Sequence, residues 1–239
     1  MLKRSIFIFF GFLSLFFSLN VYAFSFSDFF HISSQSQTAS YSQNNINMIE
    51  KTILARAEGL SPHVLNLALK AYGKLRQAGY DGREMLTIVD YSRPSTERRL
   101  WVIDLKNLQV PVRALVANGK NNGGNFSSTF SDRPRSHDSS IGVYLTGETY
   151  IGKHGYSLKI NGLEPGFNDK ARARDIVIHA ANYVSETFAR IHGRLGRSWG
   201  CFALNPVVAP GVINQIKDGT VLFAYYPDPR WLNHSTYLV

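Results

Sequence analysis

Apolar positions recur at two different periods along this chain, and the change comes near residue 85. Upstream the spacing is helical: Ile49, Ile53, Ala57 and Leu60 fall three or four apart, as do Leu65, Ala68, Tyr72 and Leu75. Ser61 and Pro62 read as an N-cap and a first-turn proline, and Gly79 as the stop of the second helix. His63 lies in that helix's first turn, where a surface or capping role suits it better than chemistry. From Met85 the period falls to two. Met85–Val89, Leu100–Leu105, Val110–Ala117, Ile141–Leu145, Tyr156–Ile160, Asp175–His179 and Val221–Tyr225 predict short strands, separated by clusters such as NGKNNGGN, NGLEPG and YPDP. No crossover helices alternate with them, so a doubly wound parallel sheet is not expected. The pattern predicts a mainly β (α+β) body, a barrel or sandwich, with a small helical pair at its N-terminal end.

The first 23 residues do not belong to that body. They carry Lys3 and Arg4, an apolar stretch from Ile6 to Leu19, and Val21-Tyr22-Ala23, the layout of a secretory signal peptide cleaved after Ala23. The apolar stretch is shorter than the ~20 residues a membrane span takes, and nothing later is long and apolar enough to span. Residues 24–47, rich in Ser, Gln and Asn, predict a flexible tether. The helical pair then occupies 48–80, packed on a body of 81–239. Periplasmic or cell-wall-associated placement follows as an expectation.

Charge and cysteine narrow the partners. The chain has 26 Lys+Arg against 17 Asp+Glu, and the signal takes two of the cations with it. Basic exported proteins work near acidic polymers: cell wall, lipid headgroups or nucleic acid. Nucleic acid is disfavoured, because the charge is spread along the chain and the signal directs it elsewhere. The single cysteine excludes an intramolecular disulfide framework and a Cys-rich zinc site. GKNNGG lacks the Gly-Lys-Ser/Thr ending of a phosphate loop.

That cysteine is also the only strong nucleophile. Gly193-Arg194-Leu195-Gly196-Arg197-Ser198-Trp199-Gly200-Cys201 sets three glycines and two arginines before the thiol. The arginines are expected to favour thiolate and lower the pKa of Cys201. The N–H groups of Gly200 and Cys201 are candidates for holding an oxyanion. A lone buried cysteine is the structural alternative. A cysteine nucleophile needs a base, ordinarily histidine. His179 ends the apolar run DIVIH, a rigid place at a sheet rim, with room before Cys201 for a short helix from Ser185 and a glycine loop. His154 (GKHGYS) and His192 (RIHGR) are the other candidates. No Asp or Asn stands out as a third, orienting member.

The pairing IVIHAANYVS with GRLGRSWGC resembles the L,D-transpeptidase (YkuD-type) catalytic domain, murein L,D-transpeptidase branch. DYSRPSTERRLWVIDL and SSIGVYLTGETYIGKHGYSLKINGLEPGFNDKAR extend the likeness over roughly residues 50 to 225. The resemblance implies a β-rich catalytic domain in which Cys201 attacks a diaminopimelate–D-alanine bond of a peptidoglycan stem, forming a thioester. A second stem's amine then takes the acyl group. His179 would be the base, oriented by the backbone carbonyl of Ala180, with no metal or organic cofactor. Arg194, Arg197 and Ser198 would hold substrate carboxylates, with Trp199 and His154 among the substrate-binding residues. The chain departs from the wider family at Trp199 and Ala180, where His and Gly are common, and at Asn118 in LVANG, where His is expected. The readings left open are a thiol-dependent peptidoglycan hydrolase (L,D-carboxypeptidase or endopeptidase) and a non-catalytic wall-binding protein.

Overall fold

The structure is a computed structural model that describes residues 46–239. The expected signal peptide, and the expected tether up to residue 45, lie outside the described residues. Helix α1 spans residues 46–54 and α2 Pro62–Gln77. The apolar stripe expected of the first helix, Ile49, Ile53, Ala57 and Leu60, is buried throughout, although the last two lie in the turn after α1. Ser61 has the extended backbone of an N-cap but makes no side-chain cap bond, so Pro62 alone marks the start. α2 lays Leu65, Ala68, Tyr72 and Leu75 against the sheet.

Nine strands follow: β1 Met85–Asp90, β2 Leu100–Asp104, β3 Gln109–Ala114, β4 Val116–Ala117, β5 Gly142–Gly152, β6 Gly155–Gly162, β7 Val177–Ala180, β8 Phe202–Leu204 and β9 Val221–Tyr225. They join in one sheet, in the order β3-β2-β1-β9-β5-β6-β7-β8-β4. Only β1·β9 and β7·β8 are parallel. The apolar run Val110–Ala117, expected as one strand, breaks at Leu115. Its first half pairs with β2 and its second with β8, at opposite ends of that order. One residue therefore joins the two edges of the sheet, which can happen only if the edges lie close together. The result is a nearly closed, barrel-like sheet.

Three short helices complete the chain: α3 Glu186–His192, α4 Ala209–Ile216 and α5 Pro229–His234. The strand pattern did not disclose β8, whose three residues are too few to show a period. Nor did it disclose α4, whose Pro210 and Gly211 read as breakers although proline is tolerated in a first turn. β5 runs seven residues past the expected Leu145, because a register shift between Thr146 and Thr149 absorbs Gly147.

The GLEPGFND segment is a lock between sheet and tail. Glu164, 2% exposed, accepts from the Val143 N–H at 2.7 Å and the Trp231 Nε1–H at 2.9 Å, and also binds the Ser235 hydroxyl. Burial pushes its carboxyl pKa up. Asn168 donates to Val143 O at 2.9 Å and accepts from the Glu164 N–H at 2.8 Å. The loop leading into β7 is thereby fixed. Among the described residues no helix is long and apolar enough to cross a membrane.

Candidate active site

Cys201 immediately precedes β8, and His179 is the third residue of β7. The two strands are parallel neighbours in which His179 lies beside Ala203. Side chains alternate faces along a strand, so Cys201, two residues before Ala203, shares a sheet face with His179. The register thus sets the two candidate residues on neighbouring strands, at one end of the β7–β8 ladder.

The loop before Cys201 is built almost wholly of fixed contacts. Gly200 has φ +117, and a Cβ there would meet Asp138 O at 2.6 Å and Ile176 Cδ1 at 2.7 Å, so only glycine fits. Ser198, 5% exposed, donates its hydroxyl to Cys201 O at 2.7 Å and accepts from the Gly200 N–H at 3.1 Å. The Ser198 N–H donates to Asn118 O at 3.0 Å, and Lys120 N–H to Ser198 O at 2.8 Å. Asn118 is buried and accepts from the guanidinium of the equally buried Arg99 at 2.7 Å. Arg99 also donates to Val116 O and Arg93 O, and burial lowers its pKa to about 10. Asn118 thus stands between a buried cation and the nucleophile loop as a structural member.

Several expected roles change in consequence. The Gly200 N–H is turned to Ser198 Oγ and is not presented to an oxyanion. Ser198 is buried in the loop's interior and is not placed to hold a substrate carboxylate. Arg194 donates to Leu195 O at 2.8 Å, and Arg197 to Lys120 O and Gly123 O, each at 3.0 Å. Both guanidinium groups stitch loop backbone rather than face the thiol. The cations that do act on Cys201 are Arg174 and Lys153, and they are outweighed: burial pushes the thiol pKa up, not down. The Cys201 Sγ–H donates weakly to Asp175 O at 3.6 Å. Arg174 is committed elsewhere, to Asp132 at 3.2 Å in a pair whose side chains are 4% and 5% exposed.

His179 is buried, and its Nδ1 lies 2.8 Å from Ala180 O. A carbonyl only accepts, so Nδ1 carries the proton and Nε2 keeps its lone pair. Burial lowers the His179 pKa, with smaller contributions in the same direction from His154 and Lys153, partly offset by the Ala180 bond. Both shifts favour the uncharged form of the group concerned.

The two-residue turn between β5 and β6 carries Lys153 and His154 to this place. The His154 ring stacks on His179, with centroids 4.3 Å apart and planes at 21°. Lys153 Nζ lies 5.9 Å from the centre of the Trp199 ring. Trp199 is 67% exposed and stacks on His137 at 4.7 Å, forming a flat indole–imidazole platform beside the thiol loop. Sequence reasoning missed Lys153, Arg174 and His137. The glycine-bounded GKHG turn was the available signal for the first. His192 lies at the end of α3 against Phe188. A cleft of about 790 Å³ opens nearby, between residues 129–141, 166–170 and 228–230. It adjoins the loop through Asp138 but is lined by neither Cys201 nor His179, and the site follows the reactive side chains rather than that cavity. Among the described residues no three His, Cys, Asp or Glu side chains gather as metal ligands.

A family model described as the L,D-transpeptidase catalytic domain matches residues 56–225, a span that contains the whole site. No curated protein matches the chain. Among solved structures, an L,D-transpeptidase from Mycobacterium smegmatis is 12% identical over 60% of this chain and 59% of its own, with TM-score 0.38. The helical cell shape determining protein Pgp2 from Campylobacter jejuni is 13% identical over 68% of this chain and 56% of its own, with TM-score 0.40. Bdellovibrio bacteriovorus Bd1075 is 16% identical over 62% and 49%, with TM-score 0.37. The chain spans less than two thirds of the length of each.

Proposed function

Because this chain belongs to the L,D-transpeptidase catalytic domain family, we propose that it is an exported cysteine acyltransferase working on peptidoglycan stem peptides. The observation that carries the reading is the Cys201–His179 pair: one sheet face, adjacent parallel strands, and a base whose Nδ1 is already committed to Ala180 O.

The chemistry follows from the protonation states. As Cys201 Sγ attacks the diaminopimelate carbonyl, its proton passes to His179 Nε2. The charge that forms on sulfur and substrate oxygen is thus matched by an imidazolium. Collapse of the tetrahedral adduct breaks the C–N bond to D-alanine, and His179 returns the proton to the departing amine. A thioester on Cys201 remains. The side-chain amine of a second stem then attacks it, giving its proton to His179, and Cys201 leaves as the thiol. Trp199 offers an exposed face against which a stem can lie, and an indole N–H that donates without titrating. Signal cleavage and export to the periplasm or cell wall complete the reading.

Purified protein incubated with disaccharide-tetrapeptide, with products read by mass spectrometry, tests it. Crosslinked dimers and free D-alanine are expected. Cys201→Ala should be inactive, and His179→Ala slower by roughly 10²–10⁴-fold, the usual share of a general base. Tripeptide without dimer would replace the transferase with an L,D-carboxypeptidase. Unchanged substrate would overturn the enzymatic reading.

A further inference from the structure

One contact at the site is not used by that mechanism. A hydrogen bond from Nδ1 to Ala180 O fixes one edge of the His179 ring but leaves the ring free to rock about that bond. Against one face of the ring lies His154, flat on it at 4.3 Å and 21°. Its placement is built into the strand register. The β5–β6 ladder runs unbroken from Thr149↔Leu158 to Gly152↔Gly155, and Ser157 of β6 is the direct neighbour of His179 in β7. Two residues are left for the turn, so Lys153 and His154 are delivered past the end of β7. Gly155, at φ +74, takes the left-handed conformation that such a tight turn needs.

We propose that His154 is a positioning residue for the base: its imidazole holds the plane of the His179 ring and with it the direction of the Nε2 lone pair. The proposal rests on the transpeptidase reading for its catalytic consequence, and on geometry alone for the contact. It differs from a substrate-binding role in what it moves. A residue that orients the base changes kcat, whereas one that only binds the stem changes KM. The stack also acts on the titration of His179, because His154 on its face disfavours a proton there. The titratable groups facing His179 are His154 and Lys153 of the turn; Cys201 shares its sheet face.

Three proteins decide the matter: wild type, His154→Phe, which keeps a flat ring without a charge, and His154→Ala, which keeps neither. In the free enzymes the titration of His179 is followed by NMR of its ring carbons and nitrogens. The midpoint should rise in both variants, because the repelling partner is gone, and rise further in alanine, where the ring is also more hydrated. With tetrapeptide substrate above both midpoints, His154→Ala should lose about tenfold in kcat, part of what a general base supplies. KM should change less than about twofold, and phenylalanine should restore most of kcat. An unchanged midpoint in both variants would overturn the coupling. A raised KM at unchanged kcat, or phenylalanine no better than alanine, would overturn the positioning role. If the wild type turns over no stem peptide, the transpeptidase reading and the catalytic role of His154 fall together, and the NMR titration still decides whether the rings are coupled.

Discussion

Ser198→Ala separates a hydroxyl that builds the nucleophile loop from one that binds substrate. In the structure that hydroxyl donates to Cys201 O at 2.7 Å and accepts from the Gly200 N–H at 3.1 Å. Removing it leaves a donor and an acceptor without partners in a residue environment only 5% exposed. A typical hydrogen bond contributes about 0.5–1.5 kcal/mol net, so the pair is worth about 1–3 kcal/mol. In a domain of this size about 1 kcal/mol moves Tm by roughly 2–4 °C, which puts the expected fall near 4–8 °C for a loss of about 2 kcal/mol. The freed bonds flank the reactive residue on both sides. The thiol should therefore spend less time in its attacking position, and kcat should fall about tenfold, equivalent to ~1.4 kcal/mol. KM should stay within about twofold, because the hydroxyl faces the loop's interior. Calorimetry gives the first number, and D-alanine release against substrate concentration gives the other two. A Tm within about 1 °C of wild type together with a several-fold rise in KM would refute the reasoning and return Ser198 to the substrate.

Two further outcomes follow from buried titrating groups. Glu164 has its folded pKa raised by burial above the ordinary 4.5, so it binds its proton more tightly folded than unfolded. Its stabilising contribution is complete below the unfolded pKa and declines as pH rises through the folded one. Thermal scans from pH 4 to 7 should therefore show Glu164→Gln gaining on wild type as pH rises, while Glu164→Ala, which orphans the Val143 N–H and Trp231 Nε1–H, loses ~3 kcal/mol or more throughout. A wild-type advantage that grows with pH would contradict this assignment. Cys201 and His179 give the kinetic counterpart. Alkylation by iodoacetamide should accelerate only above the ordinary thiol value of 9.0, and the acid limb of kcat/KM should lie below the ordinary imidazole value of 6.5, because the base works neutral. Labelling that plateaus below pH 8 would mean a resting thiolate.

Period and punctuation disclosed most of the sheet because β1, β2 and β9 are mostly apolar, almost wholly buried runs bounded by turn residues, and burial on both faces favours such runs. They could not disclose β8, which owes its existence to pairing with β7 and β4 rather than to any pattern in Phe202–Leu204. The break at Leu115, which carries the chain from one sheet edge to the other, is a tertiary event that leaves no local mark. The candidates His179 and Cys201 stood out in the sequence because the residue types themselves are chemically uncommon in those settings. Ala180 O was legible only through the resemblance, and the Nδ1 bond to it is present. The stack of His154 on His179 was not, since it depends on how many residues of β5 and β6 pair before the turn. Arginines before a cysteine were misleading for a general reason. A guanidinium has five donors, and loop carbonyls compete with a thiolate for them.

That competition bears on how the thiol is made reactive. Were Arg194 and Arg197 free to stabilise a thiolate, the loop would lose the bonds to Leu195 O, Lys120 O and Gly123 O that hold it. Here rigidity has been favoured over charge. On the proposed mechanism, a thiol whose pKa is raised by burial calls for a base whose ring is equally rigid. Four contacts meet that need: Ala180 O on the Nδ1 edge, the β6 and β8 neighbours of the His179 backbone, and His154 on the ring face. A neutral base close to a neutral thiol moves a proton only while the carbonyl is being attacked, so charge appears when substrate is present to receive it. A protonated thiol is also the less easily oxidised form, which suits a lone cysteine expected to work in an oxidising compartment. On the proposed mechanism the activating device is thus the geometry of the base rather than the field of the arginines. Substitutions that loosen His179 should therefore damage catalysis more than those that remove a cation from the loop.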